Sequence, residues 1–302
     1  MWFWLSLIAL LCWSGSDLFS KIGCRDGDDR LAHLKMVIAV GIVMGLHAAY
    51  EMIFGGVRIG VGTFLTYLPV SLLYISSMTI GYLGLRYIEL SISSPICNSS
   101  GALVAVLCLI TGGVGEIVPM QLAATALVCA GVTGLGLVEA REDDELRCAR
   151  QDKANHRYTK SWLALALPVV YCLLDALATF ADSLVLETLS EDSANAAYEL
   201  TFLLAGLVCF IYVVYVKKSK LTPRREAPKY IGALFETAGQ FAYIYAISDS
   251  AHVAMAAPII SSYCAASVLW GRIFLGEKLS RKHYGMVLLV VIGIVILGCY
   301  DI

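Results

Sequence analysis

The chain has 302 residues, of which 59% are hydrophobic and 15% are charged. A soluble domain carries roughly 45–50% apolar and about 25% charged residues, so this composition favours a polytopic membrane protein over a water-soluble one. The net charge of -2 and the lack of a basic tract give no indication of a nucleic-acid partner.

Ten segments are long and apolar enough to cross the bilayer as helices of about 20 residues. Because backbone polar groups must be satisfied within hydrocarbon, and strand alternation is absent, we predict an all-α integral membrane fold. In chain order the predicted transmembrane helices span 2–21, 31–54, 63–85, 90–112, 119–139, 161–183, 194–216, 229–247, 251–274 and 284–300.

The basic residues fall almost entirely on one side of these helices. Alternate connectors, beginning with the one between helices 1 and 2, hold 21 of the 22 Lys and Arg residues, and the other side holds Arg58. Because basic connectors stay in the cytoplasm, we predict a multi-pass protein of the cell membrane with both termini outside. Connectors 1–2, 3–4, 5–6, 7–8 and 9–10 are then cytoplasmic.

The chain divides at its midpoint into two halves of five predicted helices. The first half covers residues 1–139, a charged cytoplasmic linker covers 140–160, and the second half covers 161–302. Since each half holds an odd number of helices, the second half must be inserted upside down relative to the first. The sequence therefore predicts two inverted repeats, a plan of many secondary transporters whose substrate sites lie near the bilayer midplane.

Matching motifs support this division. Pro95 precedes Gly115-Glu116 in the first half much as Pro258 precedes Gly276-Glu277 in the second. The ending of the second half resembles the end of an EamA domain, and the start of the chain resembles its beginning. The residues concerned are Gly276-Glu277-Lys278-Leu279-Ser280, Gly285, Ile292-Gly293-Ile294, and Trp13-Ser14-Gly15-Ser16 through Lys21.

The chain as a whole resembles a ten-helix, EamA-like member of the drug/metabolite transporter superfamily. This resemblance implies a central cavity lined by helices 1–4 and 6–9, with helices 5 and 10 at the periphery. Bacterial members are generally taken to have cytoplasmic termini, whereas the basic residues of this chain indicate the reverse.

Acidic residues inside membrane helices are candidates for transport, since burying a charge there costs roughly 2.5–3.5 kcal/mol unless it faces protein or water. Glu236 lies deepest, and Gln240 follows one turn later on the same helix face. The pair could bind a cationic or hydrogen-bonding substrate, or Glu236 could carry a proton. A neutral packing role is the alternative.

Asp17 and Asp175 occupy corresponding places in the two halves, each four residues after an aromatic residue, Trp13 or Tyr171. Helical rise separates the two carboxyl groups by about 12 Å in depth, so we expect each to act at its own gate. For Asp17 the alternative is an ion pair with Lys21.

Three further features have weaker functional indications. Asp182 and Glu199 lie near predicted helix ends and are expected at the membrane interface. His47 and Glu51 are four residues apart and are expected to form a structural pair. The spacing Gly41-x-x-x-Gly45 permits a close helix contact and hence a homodimer.

Pro95 and Pro258 are predicted to interrupt helices 4 and 9, because proline removes a backbone donor and frees a carbonyl. Such interruptions are tolerated at depth where protein or cavity water satisfies the backbone. A packing kink is the alternative. The polar residues beside the prolines are further candidates for substrate binding: Asn98, Ser99, Ser261, Ser262 and Tyr263.

These features predict a secondary transporter, an exporter or exchanger that moves a small cationic or zwitterionic metabolite or drug by alternating access. Protons are the candidate coupling ion. The ten cysteines and five histidines are dispersed without metal-binding spacing, so we predict no cofactor, no metal and no enzyme activity. A non-transporting scaffold or lipid-binding protein is the alternative.

Overall fold

The computed structural model describes residues 1–24, 29–87, 90–111, 118–140, 162–275 and 280–301. Every regular element in these ranges is a helix, and the helices form ten rods. The elements are α1 (Trp2–Cys24), α2 (Ala32–Ile53), α3 (Val61–Tyr87), α4 (Leu90–Cys97), α5 (Ser100–Thr111), α6 (Pro119–Ala140), α7 (Trp162–Val185), α8 (Glu191–Phe210), α9 (Pro223–Ile247), α10 (Val253–Ser261), α11 (Tyr263–Phe274) and α12 (Arg281–Asp301).

Three of the ten rods are composite. Segments α4 and α5 form the fourth rod, and α10 and α11 form the ninth. The seventh rod continues from α8 into a π-helical turn at Ile211–Val216. Within the described ranges, nine rods are long and apolar enough to cross a membrane. The predicted all-α, ten-helix membrane fold is confirmed.

The remaining rod, α9, has 25 residues but is more polar than the others. Glu226, Lys229, Glu236 and Gln240 lie on it and are all buried, whereas Leu234 is exposed. The helix therefore turns its polar groups into the bundle and its apolar groups towards lipid. This arrangement avoids the cost of placing charges in hydrocarbon.

The rods pack in pairs that join the first half of the chain to the second. The main contacts are α1 with α9, α3 with α7, α2 with α8, α5 with α10, and α6 with α12. If the first rod is exchanged with the sixth, the second with the seventh, and so on through the two halves, the same set of contacting pairs results. The symmetry is what an inverted repeat requires, and the repeat itself stays a prediction. Residues 141–161, which hold nearly all of the predicted linker, lie outside the described residues.

The glycines of α2 are used inside the chain. A Cβ atom at Gly41 would lie 2.6 Å from the carbonyl oxygen of Phe202 and 3.0 Å from the Cα of Gly206 on α8. A Cβ at Gly45 would lie 2.7 Å from Leu203 on the same helix. The motif Gly41-x-x-x-Gly45 thus serves the α2–α8 contact, and the predicted homodimer gains no support from it.

The fourth and ninth rods are interrupted about one turn after their prolines. Pro95 and Pro258 lie inside α4 and α10, and the interruptions follow at Asn98-Ser99 and at Ser262. The hydroxyl of Ser99 donates to the carbonyl of Pro95 at 3.0 Å, and the hydroxyl of Ser262 donates to the carbonyl of Ile259 at 2.5 Å. Polar side chains that compete for helix carbonyls thus place the breaks later than proline alone predicts.

Candidate functional site

A cavity lies between the two halves, beside the two helix breaks. Its walls surround about 910 Å³ of space not filled by protein atoms, part of which is open to solvent. Its wall comes from α1, α3, α4, α5, α7, α8, α9, α10 and α11. Among the described residues, none from α6 or α12 lines it, as the family resemblance implied for helices 5 and 10. None of the described lining residues lies on α2 either, because α2 packs closely on α8. The expectation that helix 2 lines the cavity is therefore wrong.

The cavity brings together nine of the thirteen residues predicted to bind substrate or protons or to break helices 4 and 9. Ser99, Ser262, Pro95 and Pro258 lie behind the wall, where they shape the helix breaks. The lining members are Trp13, Asp17, Asn98, Tyr171, Asp175, Glu236, Gln240, Ser261 and Tyr263. Their placement makes them candidates for contact with a ligand.

Asp17 joins three elements at the cavity wall. Its Oδ2 atom accepts hydrogen bonds from Ser94 of α4 at 2.5 Å and from Ser267 of α11 at 2.9 Å. The ion pair considered for Asp17 is not formed, since the ammonium of Lys21 donates to the carbonyl of Leu85 at 3.1 Å. The hydrogen-bonding partners of Asp17 in the wall are therefore the hydroxyl groups of two serines.

Asp175 is held in the same way, because Ser100 of α5 donates to its Oδ2 at 2.7 Å. Ser16 of α1 and Glu236 of α9 both line the cavity. Ser100 follows Ser94 by six residues along the fourth rod, which corresponds to about 9 Å of helical rise. Asp17 and Asp175 therefore meet the cavity at different depths.

Aromatic rings form much of the remaining wall. The indole of Trp13 packs on Tyr243 with a centroid distance of 5.0 Å and on Tyr263 at 5.8 Å. Tyr74 meets Tyr198 edge-on at 5.7 Å. The indole N–H of Trp13 also donates to the backbone carbonyl of Glu236 at 3.4 Å, which fixes the ring against α9.

The sequence reasoning did not select the tyrosines of α3 as site residues. Tyr74 and Tyr82 line the cavity, and Tyr67 lies directly behind it. These residues are spaced seven and eight apart, so they share one face of the helix. This periodic row of tyrosines in an apolar segment is the sequence pattern that could have identified them as site residues.

The charges at the site have one sign. Three carboxyl groups line the cavity, while no Lys, Arg or His is found among the lining residues in the described ranges. Ring faces carry partial negative charge and attract cations within about 6 Å of the ring centroid. The electrostatics of the wall therefore favour a cation.

Asp182 lies near the end of α7 and is fully buried between helices. Tyr67 donates to its Oδ1 at 2.8 Å and Tyr74 to its Oδ2 at 3.3 Å. The hydroxyl groups of Tyr74 and Tyr243 share a hydrogen bond at 2.5 Å. We call these four residues the tyrosine cluster. Packing of α3 on α7 removes Asp182 from water and gives it phenol partners.

Glu199 is also fully buried between helices. His47 Nδ1 lies 2.8 Å from its carboxylate, and the side-chain amide of Asn195 donates to it at 3.2 Å. His47 Nε2 is 3.9 Å from Glu51. The expected His47–Glu51 pair is therefore secondary to a bridge between α2 and α8.

An ionic cluster closes the end of the bundle where α9 begins. Lys35 Nζ lies 2.8 Å from Asp29 and 3.5 Å from Glu226, and Lys229 Nζ lies 2.7 Å from Glu226. Burial acts to raise the pKa of Asp29, but hydrogen bonds from Lys35 and from the Leu31 amide outweigh it and leave the pKa lowered. These four charged side chains are nearly inaccessible.

The sequence of the second half decides the family. Residues 162–299 match the family model of the EamA-like transporter family. This match identifies the second half of the chain as EamA-like, a family of the drug/metabolite transporter superfamily. This EamA-like protein is therefore a multi-pass membrane transporter of the drug/metabolite type. The motif residues Gly115-Glu116 and Gly276–Leu279 lie outside the described residues.

A solved crystal structure shares the fold. It aligns with a TM-score of 0.63 over 98% of this EamA-like chain and 96% of its own length, at 12% sequence identity. No curated protein matches the sequence. Similarity at that level of identity establishes the architecture alone.

Proposed function

We propose that the protein is a secondary transporter that carries a small organic cation or zwitterion across the cell membrane by alternating access. The observation that carries this proposal is the cavity wall, with three carboxyl groups, seven aromatic rings and no basic residue in the described lining. Such a wall can replace the hydration of an ammonium group. A phosphate or nucleotide would meet like charge there.

Polar clusters at the two ends of the bundle support alternating access. The ionic cluster packs the first turns of α9 against α2, and the tyrosine cluster ties the far end of α7 to α3 and α9. Opening either end requires separating hydrogen-bonded or charged groups. We propose that the two clusters open in turn, so that the cavity faces one side at a time.

We further propose that protons drive the cycle and that the direction is export or exchange. Asp17, Asp175 and Glu236 would each bind either a proton or the cation, since a buried carboxylate without a positive partner is costly. The protein would exchange the cation for protons if, without substrate, it could return to its starting conformation only when these carboxyl groups are protonated. Placement of the basic connectors in the cytoplasm and of both termini outside completes the proposal.

The decisive experiment uses the full chain in proteoliposomes with an imposed pH gradient. A panel of amines, amino acids and organic phosphates is compared for wild type, Glu236→Gln and the control Glu187→Gln, which changes an exposed side chain. We expect gradient-dependent amine transport that falls about tenfold or more in Glu236→Gln, because a charge-assisted contact is lost. The control should match wild type.

Two results would reject the proposal. Transport of an organic phosphate at equal rates in wild type and Glu236→Gln would contradict the cation assignment. Vesicles that accumulate no solute and move no protons would instead indicate a scaffold or lipid-binding role.

A further inference from the structure

Two hydrogen-bonding groups of the cavity wall have no partner in the described part of the protein. They are the side-chain nitrogen of Gln240 on α9 and the hydroxyl of Tyr82 on α3. Both residues line the cavity, and they are only 2% and 6% exposed. A buried donor left unpaired is destabilising. A ligand that accepts these hydrogen bonds would therefore gain affinity.

The accepting group of such a ligand must be uncharged. The carboxyl groups of Asp17, Asp175 and Glu236 already face the cavity, and the described lining offers no basic side chain. A ligand carboxylate would be repelled by these groups and would find no counter-ion. A neutral carbonyl, in contrast, can accept from both Gln240 and Tyr82 without that repulsion.

The helix fixes the spacing between the two recognition elements. Glu236 and Gln240 lie four residues apart on one face of α9, which separates their Cβ atoms by about 5–6 Å. A ligand whose ammonium group meets Glu236 would therefore direct a carbonyl on the adjacent carbon towards Gln240. A primary amide is the best complement, because a glutamine amide can donate and accept at once.

From these contacts we infer that the cavity selects a monocation with an uncharged carbonyl beside its ammonium group, an α-amino amide being the simplest member. Gln240 and Tyr82 are then the specificity-determining residues, and Glu236 receives the ammonium group. This inference rests on the proposed cation transport and narrows its substrate class by removing zwitterions.

The test compares three probes that share one apolar side chain: 3-methylbutylamine, leucinamide and leucine. Their binding to the full chain in lipid nanodiscs is measured by calorimetry at about pH 6, where the amino groups are protonated. Wild type should bind leucinamide about tenfold more tightly than 3-methylbutylamine, since the amide adds a hydrogen bond to a buried donor. Leucine should bind more weakly than either.

Substitutions then assign the preference to residues. Gln240→Leu should lower leucinamide affinity about tenfold and reduce 3-methylbutylamine affinity much less. Tyr82→Phe should act in the same direction, and it removes a hydroxyl that bonds to no described protein atom, so it keeps the test available if Gln240→Leu fails to fold. The matched control is Gln121→Leu, which changes a glutamine of α6 outside the cavity and should leave the ratio of affinities at the wild-type value.

The outcomes separate this inference from the proposed function. If wild type binds the two amines equally, or if leucine binds as well as leucinamide, the inference fails while cation transport stands. It fails equally if the foldable variants lower the affinity for both amines by the same factor. If wild type binds neither amine, the inference and the cation assignment fail together.

Discussion

At the scale of single residues, hydroxyl groups determine how the acids of this protein are held. Serines donate to the cavity acids Asp17 and Asp175, and phenols donate to Asp182. Lysines pair with acids in the ionic cluster, away from the cavity. A neutral donor fixes the direction of a carboxyl group without cancelling its charge. The cavity acids therefore remain available to a cation, which a buried ion pair would prevent.

The bond between Tyr67 and Asp182 predicts measurable coupling. In a double-mutant cycle with Tyr67→Phe and Asp182→Asn, we expect a coupling free energy of about 0.5–1.5 kcal/mol, the range for hydrogen bonds inside membrane proteins. Unfolding in detergent provides the measurement. Tyr50→Phe is the control, because the Tyr50 ring is exposed, and it should show no coupling to Asp182→Asn. Additive effects of Tyr67→Phe and Asp182→Asn would contradict the contact.

The sequence alone revealed the acids of the cavity but not their partners. Asp17, Asp175, Glu236 and Gln240 stand out because charged or amide groups are rare in apolar segments. Serine and tyrosine are common there, and whether a hydroxyl meets the cavity depends on how two rods pack. Ser94 and Ser267 approach one carboxyl group from α4 and α11, a convergence that no local pattern encodes.

At the scale of elements, hydropathy located every helix and misjudged polar ends. α8 begins at Glu191, three residues before the predicted start, because the side chain of Ser190 accepts a hydrogen bond from the amide of Ser193 and acidic residues occupy the first turn. α9 begins at Pro223, six residues early, with proline at a position where it suits a helix start. These turns are polar, so a search for apolar runs overlooks them.

The contact between α2 and α8 provides an element-scale prediction. We expect Gly41→Ala to destabilise the fold by about 1–3 kcal/mol, since its Cβ would lie 2.6 Å from the backbone oxygen of Phe202 and the helices would have to separate. Thermal unfolding in detergent measures the effect. Gly62→Ala is the matched control, because nothing lies within 4 Å of a Cβ there. Equal stability of the two variants would show that the close approach is absent.

At the scale of the whole molecule, the helix pairs stay the same when the two halves are exchanged, yet the two ends of the bundle differ in chemistry. The ionic cluster joins α9 to α2 and the tyrosine cluster joins α3 to α7, at opposite ends of the bundle. Lysine–carboxylate contacts are charged, whereas phenol–carboxylate contacts need no basic group. This difference accords with the placement of 21 of 22 basic residues on one side. The two halves thus share one pattern of helix contacts, while the two ends of the bundle differ in chemistry.

The proposed orientation yields a prediction about two connectors. Gly60, between α2 and α3, and Leu221, before α9, are separated by five membrane crossings, so they must lie on opposite sides. The basic residues around Leu221 place it in the cytoplasm. A membrane-impermeant maleimide should therefore label Gly60→Cys in intact cells and label Leu221→Cys only after the membrane is opened. Both positions are exposed, and the labelling of wild type gives the background of the native cysteines.

The possible labelling patterns distinguish orientation from architecture. Reversed accessibility would leave the two halves and their pairing intact, but it would place the termini in the cytoplasm and the ionic cluster at the outer end. The cation cavity would be unaffected, since it lies between the ends. Labelling of both cysteines from the same side would require an even number of crossings between them, which five rods cannot supply. Inverted insertion of the second half would then be wrong, and alternating access between matched halves would lose its structural basis.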